Sequence, residues 1–465
     1  MIPVTIFAGR KLAVVGAGLS GLATARSLQE GGADVVLWDD KDAGRAQAAA
    51  AGFTVEDLSE ADLGAFAALV LAPGIPLTHP EPHWSVKSAR AGIEVIGDVE
   101  LFFRAREASG VDCKVVAITG TNGKSTTTAL TAHLLESAGR DVALGGNIGN
   151  AVLDLAPFAQ ERIYVLELSS YQIDLTPSLK PDAAALLNIT PDHLDRHGSL
   201  EGYASVKARI FAQLAPDATA VIGVDDVPCR AIAETLQDSY AVKRISISGT
   251  VQNGVWASDA TLMEMEGGKE VARAALAGVG SLRGAHNWQN AATAYALARS
   301  QGVEPGVLQE GLRSFGGLAH RMEQVGRAGK VLFVNDSKAT NADAAGKALG
   351  SFDTIYWIVG GVAKEGGLAG LEFFYPRIAR AYLIGEASDA FAGQLGDAIP
   401  HIACETLDRA VELAAADASQ SQADEPVVLL SPACASFDQY PNFAKRGDAF
   451  KELVMQRNGV TSLSE

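Results

Sequence analysis

Residues 115–128 read Val115-Val116-Ala117-Ile118-Thr119-Gly120-Thr121-Asn122-Gly123-Lys124-Ser125-Thr126-Thr127-Thr128. Four apolar residues in a row fit a buried strand, the Gly-rich segment fits a loop, and the run that follows fits a helix. Backbone N–H groups of such a loop cradle phosphate oxygens, the Lys places a point charge near the β and γ groups, and the Ser hydroxyl reaches magnesium. The strict pattern has Gly at 118, where this chain has Ile, so the loop is a shortened variant. A polar loop at a helix start would leave the adjacent Gly-Lys-Ser unexplained.

Working outward, strand-like runs alternate with Ala-rich helical patterns, the pattern of parallel sheets covered by helices, so the fold class is α/β. LAVVGAG, ADVVLWDD and ALVLAPG form a first set, completed by AGIEVIGDVELFF. The polar segment Arg104 to Asp112 reads as a linker. A second set runs through CKVVAITG, IYVLELSS, AAALLNIT and ATAVIGV, then a weaker stretch from Ser246 to Gly280 resembling short antiparallel strands. The third set follows Gly316 and Gly317, with VLFVNDS, TIYWIVGG, RAYLIGE and PVVLLSPA. The expected domains are 1–110, 111–318 and 319–465, consistent with a chain of 465 residues.

A second Gly-rich turn, Gly16-Ala17-Gly18-Leu19-Ser20-Gly21, lies between a strand and a helix, with Asp39 and Asp40 ending the next strand. This is a full G-x-G-x-x-G match in its expected context and points to a phosphate-bearing ligand without saying which nucleotide. Alone it suggests a nicotinamide-dependent oxidoreductase; the phosphate loop also admits a non-catalytic nucleotide switch. At strand ends of the second set stand Glu167, Asn188 and the segment Asp192-His193-Leu194-Asp195. Glu167 and His193 are candidate magnesium ligands, because ligands gather at the carboxyl ends of parallel strands.

The net charge of −17 and the absence of a Lys/Arg-dense run argue against nucleic acid and anionic lipid as partners. Cys113, Cys229, Cys404 and Cys434 are widely spaced, which suggests neither a disulfide framework nor a thiolate zinc site and fits a reducing compartment. The N-terminal sequence lacks the pattern of a secretory signal, and no apolar run reaches membrane-spanning length. A cytoplasmic protein without membrane insertion is expected.

The ordered series Thr119–Thr128, LELSSYQ with Glu167, NITPDHLDRH with His193, GAHNWQN with Asn287 and Asn290, AHRMEQV with His320 and Arg321, and NDSKATN with Asp336, Lys338 and Thr340 resembles the Mur ligases of bacterial peptidoglycan synthesis. The similarity spans nearly the whole chain. It implies a Rossmann-like N-terminal domain, a central P-loop ATPase-like domain and a Rossmann-like C-terminal domain. LLSPACASFDQYPNFAKRGDAF and GTNGKST are most similar to members that add D-glutamate to UDP-N-acetylmuramoyl-L-alanine. The Asp-Asn-Pro-Arg motif of the diaminopimelate- or lysine-adding members is absent.

In that family the first domain holds a uridine diphosphate rather than a redox cofactor. The resemblance implies ATP with two Mg2+ ions, an acyl-phosphate intermediate and a monomer. Gly120, Thr121, Asn122, Gly123, Lys124, Ser125 and Thr126 would bind ATP, with Asn287, Asn290, Arg321, Asp336 and Lys338. Ser125, Glu167, His193 and Lys207 would serve the metals, Lys207 as a carbamate. Without the resemblance, Lys207 reads as part of a solvated helix face. Lys124, Glu167, His193 and Lys207 would be catalytic. Leu19, Ser20, Asp39, Gly74 and Asn147 would hold the UDP-sugar; Thr340, Lys364, Ser436, Phe437 and Phe443 would form the glutamate pocket. The loop Gly360–Gly367 lacks the Asp that often follows the Lys in relatives, although Lys364 remains aligned.

Overall fold

The computed structural model describes residues 1–89, 92–215 and 218–463. It is α/β, with contacts gathering the chain into two compact units, Met1–Ala275 with Trp288–Leu312, and Leu276–Asn287 with Arg313–Glu465.

The first unit carries two sheets. One has five parallel strands in the spatial order Thr54–Val55, Asp34–Trp38, Lys11–Val15, Leu69–Leu71, Val95–Ile96. Chain order reverses at Lys11–Val15, which opens a crevice between its carboxyl end and that of Leu69–Leu71, where such sheets bind ligands. The other has nine strands, ordered Lys269–Ala275, Thr261–Glu266, Gly254–Ser258, Ala241–Ser246, Thr219–Gly223, Ala183–Leu186, Lys114–Thr119, Ile163–Glu167, Val142–Gly146. Its first three strands form the expected antiparallel extension. The six others pair in parallel. Val115–Ile118 are fully buried and therefore apolar throughout, as a strand covered on both faces must be.

Two expectations need correction. AGIEVIGDVELFF is not one strand: Ala91 lies outside the described residues, Val95–Ile96 is a short strand, and Asp98–Ser109 is a helix. Arg104–Ser109, read as linker, is the end of that helix. Its polar residues are held rather than solvated: Arg104 pairs with Glu94 and Glu100, Arg106 pairs with Asp182, and the same helix buries Phe102 and Phe103.

The second unit contains a seven-stranded sheet, ordered His401–Glu405, Ile378–Ile384, Ile355–Gly360, Val427–Leu430, Val331–Asn335, Glu323–Ala328, Val460–Ser462. The strand Glu323–Ala328 runs antiparallel to both its neighbours. Apolar cores line both faces of this sheet. A two-stranded ribbon pairs Val362–Ala363 with Cys434–Ala435.

Candidate active site

The strand Lys114–Thr119 delivers the chain to the loop Gly120–Gly123, and the helix Lys124–Ser137 leaves it. Gly123 adopts φ 85°, and a Cβ there would stand 2.1 Å from Asn290 Oδ1, so only Gly fits. Lys124 Nζ donates to the carbonyls of Gly120 at 2.8 Å and Thr121 at 2.7 Å, which places its charge inside the loop. Asn188 clamps the loop from the neighbouring strand. Its side-chain oxygen accepts from Asn122 N at 2.8 Å, its amide donates to Asn122 O at 3.2 Å, and its carbonyl accepts from Thr121 N at 2.9 Å. Gln289 Oε1 accepts from the same amide at 3.1 Å. Sequence reasoning noticed Asn188 only as a strand-end polar residue; its amide matching both backbone polar groups of one residue, Asn122, could be seen only in three dimensions.

Glu167 ends its strand and is 2% exposed. Oε1 accepts from Asn147 Nδ2 at 2.7 Å, while Oε2 is buried without a hydrogen-bond partner. A buried carboxylate oxygen left bare costs free energy unless a cation completes it. Among the described residues, no group of three or more His, Cys, Asp and Glu side chains forms a metal cage. One carboxylate near a phosphate loop is instead the donor set of magnesium, which keeps waters and substrate phosphates as its other ligands.

Lys207 corrects the sequence reading. It is 1% exposed, and its Nζ donates to Gly120 O at 2.9 Å and Thr119 Oγ1 at 3.2 Å. The helix Leu200–Ala208 turns this face inward against the phosphate strand, with Lys207 also over the Tyr203 ring at 4.7 Å. Burial, reinforced by the nearby Lys124 charge, holds its amine well below the ordinary lysine range. His193 adopts the left-handed conformation at φ 52°. Its half-exposed ring stands 5.0 Å from that of Tyr171 and 6.4 Å from that of Tyr203, centroid to centroid. The loop before it joins the phosphate loop through Thr190 N, which donates to Thr121 Oγ1 at 3.0 Å.

The Gly-rich turn Gly16–Gly21 opens on a cavity of about 650 Å³ lined by every residue expected to hold the UDP-sugar: Leu19, Ser20, Asp39, Gly74 and Asn147. A Cβ on Gly21 would lie 1.8 Å from Gly16 O, so the helix Leu19–Glu30 approaches the turn closely only because position 21 has no side chain. Asp39 Oδ2 accepts from Ala17 N at 2.7 Å and fixes the turn. Leu19 is 85% exposed at the mouth. Arg196, which sequence reasoning missed, donates to Gly74 O at 2.7 Å and Ile75 O at 2.8 Å while lying 4.4 Å from the centroid of the Tyr171 ring. It ties the His193 segment to the cavity rim. Asn147 lines the cavity and also binds Glu167.

In the second unit Asp336 accepts from Ser431 Oγ at 2.8 Å and Met322 N at 3.2 Å. Burial pushes its carboxyl up to about 7, against the hydrogen bond from Ser431. Lys338 N donates to His320 O at 3.0 Å, and Lys338 Nζ lies 3.9 Å from the centroid of the Phe443 ring. Arg321 follows His320, and its charge draws the Asp336 carboxyl downward, a smaller effect than burial. Asn287 donates to Arg283 O at 3.0 Å within this unit. Asn290 belongs to the first unit, where its Oδ1 accepts from Thr127 Oγ1 at 3.3 Å.

The residues expected for glutamate divide by environment. Ser436 is 2% exposed with an unpartnered hydroxyl. Thr340 and Phe443 are half-buried, whereas Phe437 and Lys364 are exposed. Among the described residues, no side-chain hydrogen bond or ion pair joins Lys364 to the other four. Arg446, also missed, is 1% exposed, donates to Ser337 and Cys434 carbonyls at 2.9 and 3.0 Å, and keeps a buried Nη1 without a partner.

Residues 118–298 match the family model of the Mur ligase middle domain, and residues 11–116 match that of FAD dependent oxidoreductases. The chain is 56% identical over 463 residues to a UDP-N-acetylmuramoylalanine--D-glutamate ligase of Brucella abortus (strain 2308), covering 99% of this chain and 98% of that one. It is 54% identical over 467 residues to the ligase of the same name from Chelativorans sp. (strain BNC1), covering 100% and 99%. Among solved structures, a UDP-N-acetylmuramate-alanine ligase from Thermotoga maritima shares the fold with TM-score 0.58 at 18% identity, over 95% of this chain and 98% of that one.

Proposed function

The chain belongs to the Mur ligase family, among the UDP-N-acetylmuramoylalanine--D-glutamate ligases, and from that premise we propose how its residues divide the work of adding D-glutamate to UDP-N-acetylmuramoyl-L-alanine at the expense of ATP in peptidoglycan precursor synthesis. The observation that carries the reading is the phosphate loop Gly120–Ser125 beside a buried Glu167 oxygen with no partner.

A carboxylate is a poor electrophile, and phosphorylation converts one of its oxygens into a leaving group. The cavity beside Gly16–Gly21 holds the UDP-sugar through Leu19, Ser20, Asp39, Gly74 and Asn147, presenting its terminal carboxylate toward the γ-phosphoryl group of ATP. Loop N–H groups and Lys124 offset charge on the transferring oxygens. Ser125, Glu167, His193 and Lys207 are the residues to hold magnesium, two ions in this reading; when bound, magnesium supplies electrostatic stabilisation of the phosphoryl oxygens. The depressed Lys207 amine is available in neutral form to add to carbon dioxide, releasing a proton and leaving a carbamate anion suited to a hard cation. Asn287, Asn290, Arg321, Asp336 and Lys338 contact the nucleotide. Thr340, Lys364, Ser436, Phe437 and Phe443 receive glutamate, whose amine attacks the acyl phosphate and displaces phosphate. A monomer working in the cytoplasm, divided at 110/111 and 318/319, completes the proposal.

The test is to follow phosphate release and product mass with ATP, magnesium, UDP-N-acetylmuramoyl-L-alanine and either enantiomer of glutamate. Stoichiometric phosphate and amide product are expected with D-glutamate. Sustained phosphate release without an amino acid, or preference for L-glutamate, would contradict the reading.

A further inference from the structure

The amide of Asn188 clamps the phosphate loop in one orientation only. Its oxygen meets Asn122 N and its NH2 meets Asn122 O; turned over, donor would face donor and acceptor would face acceptor. Behind it stands Gln289, 101 residues further along the chain, on the helix Ala285–Ser300 and 9% exposed. Gln289 Oε1 accepts from Asn188 Nδ2 at 3.1 Å, and Gln289 Nε2 donates to Asp225 Oδ2 at 3.4 Å. All of these residues belong to the first unit.

The order of donors along this row is fixed from its far end. The Asp225 carboxylate only accepts, and it is anchored by Ser246 Oγ at 2.7 Å, Ile247 N at 3.0 Å and Ser248 N at 3.3 Å as well as by Gln289. Gln289 therefore turns its NH2 to Asp225 and its oxygen to Asn188. Both NH2 hydrogens of Asn188 are then engaged, by Gln289 and by Asn122 O, and its oxygen is what remains for Asn122 N. The backbone beside the clamp is held by the next acid: Asp226 Oδ2 accepts from Ile189 N at 3.1 Å, and Asp226 Oδ1 caps the helix Val227–Leu236 through Cys229 N at 2.8 Å. A Cβ at Gly223 would lie 2.0 Å from Leu187 O and 3.2 Å from Gln289 Nε2, so the row closes against the strand ends only because position 223 has no side chain. A polar residue that merely seals a sheet end needs partners for itself alone; this row runs unbroken from an anchored carboxylate to a loop N–H.

We propose that Gln289, oriented by Asp225, is a positioning residue for ATP: it holds the Asn188 amide in the one orientation that fixes Asn122 in the phosphate loop. The inference rests on ATP phosphates occupying Gly120–Ser125. Gln289 acts through Asn188 and touches no reacting atom, so its loss falls on the KM for ATP rather than on kcat or on the nucleotide sugar.

The test compares steady-state kinetics and calorimetric ATP binding of full-length Gln289→Met, Gln289→Glu, Asn188→Leu and the double variant Asn188→Leu, Gln289→Met. Gln289→Met keeps the length of the side chain without its polar groups and should raise the KM for ATP about fivefold, the loss of one hydrogen bond, with kcat and the KM for UDP-N-acetylmuramoyl-L-alanine within about twofold of native. Gln289→Glu keeps the shape but sets a second acceptor against Asp225, and should raise the KM for ATP at least as far. The double variant should cost no more than Asn188→Leu alone, because Gln289 acts through Asn188. If Asn188→Leu raises the KM for ATP while Gln289→Met and Gln289→Glu do not, Gln289 is a packing residue and the proposal fails alone. Losses that multiply in the double variant, or a lowered Tm with both substrates' KM raised equally, also overturn it. If Asn188→Leu too leaves the KM for ATP and ATP binding unchanged, the assignment of ATP to the loop itself falls.

Discussion

The two Gly-rich turns of the first unit share a plan, strand to turn to helix N-terminus, yet differ in what surrounds them. At Gly16–Gly21 the turn is fixed by an acid: Asp39 takes the Ala17 N–H. At Gly120–Gly123 two amines, Lys124 and Lys207, converge on the carbonyl of Gly120, and a buried carboxylate stands at the next strand end. The first surroundings suit a diphosphate bound through N–H groups and a helix end, the second a triphosphate with metal whose charge must be offset while it moves. The match of residues 11–116 to FAD dependent oxidoreductases makes the same point. The turn is common to many nucleotide sites, and the groups around it select the chemistry.

The sharpest break in the comparison is Lys124→Ala, expected to lower kcat by at least ~100-fold while UDP affinity stays native; near-normal turnover in a folded variant would remove the charge argument. Lys207→Ala should cost roughly as much, on the order of 100-fold, with partial recovery in acetate or formate. The Lys207→Ala, His193→Ala double variant should lose less than the product of the single losses. Ordinary activity and magnesium dependence in Lys207→Ala would return that residue to a structural role. At the other turn, Gly21→Ala forces a Cβ to 1.8 Å from Gly16 O. Steady-state kinetics should show the nucleotide-sugar KM raised about tenfold, as a displaced helix start loses contacts, with the KM for ATP little changed.

The smallest effect concerns stability in the second unit. Asp336 holds its proton up to about 7 when folded, against about 3.9 for an unperturbed Asp carboxyl. The folded state therefore binds the extra proton in that window. The contribution is full below the unfolded value and is lost as pH climbs to about 7. Asp336→Asn should flatten the fall of Tm with rising pH across that range, measured by calorimetry. An identical slope in native and variant proteins would place the Asp336 carboxyl in the ordinary range.

Much of this was legible because both turns carry residue types at fixed spacing, and strands buried on both faces must be apolar without interruption. What stayed hidden depends on packing between segments distant in sequence. Lys207 reads as a solvated helix face because GYASVKARI has no marked apolar stripe to reveal which side is inward. Arg104–Ser109 reads as linker because its charges find Glu94, Glu100 and Asp182 only after folding. Arg196 acts through backbone carbonyls, which leave no motif.

The account stands on the two turns holding different ligands at once. Calorimetric titration of the full chain with UDP, with ATP and magnesium, and with NADH tests that directly. UDP should bind with the same affinity whether or not the ATP site is saturated, UDP binding should survive Lys124→Ala, and NADH should give no signal. Tight NADH binding, or ATP displacing UDP stoichiometrically, would contradict it.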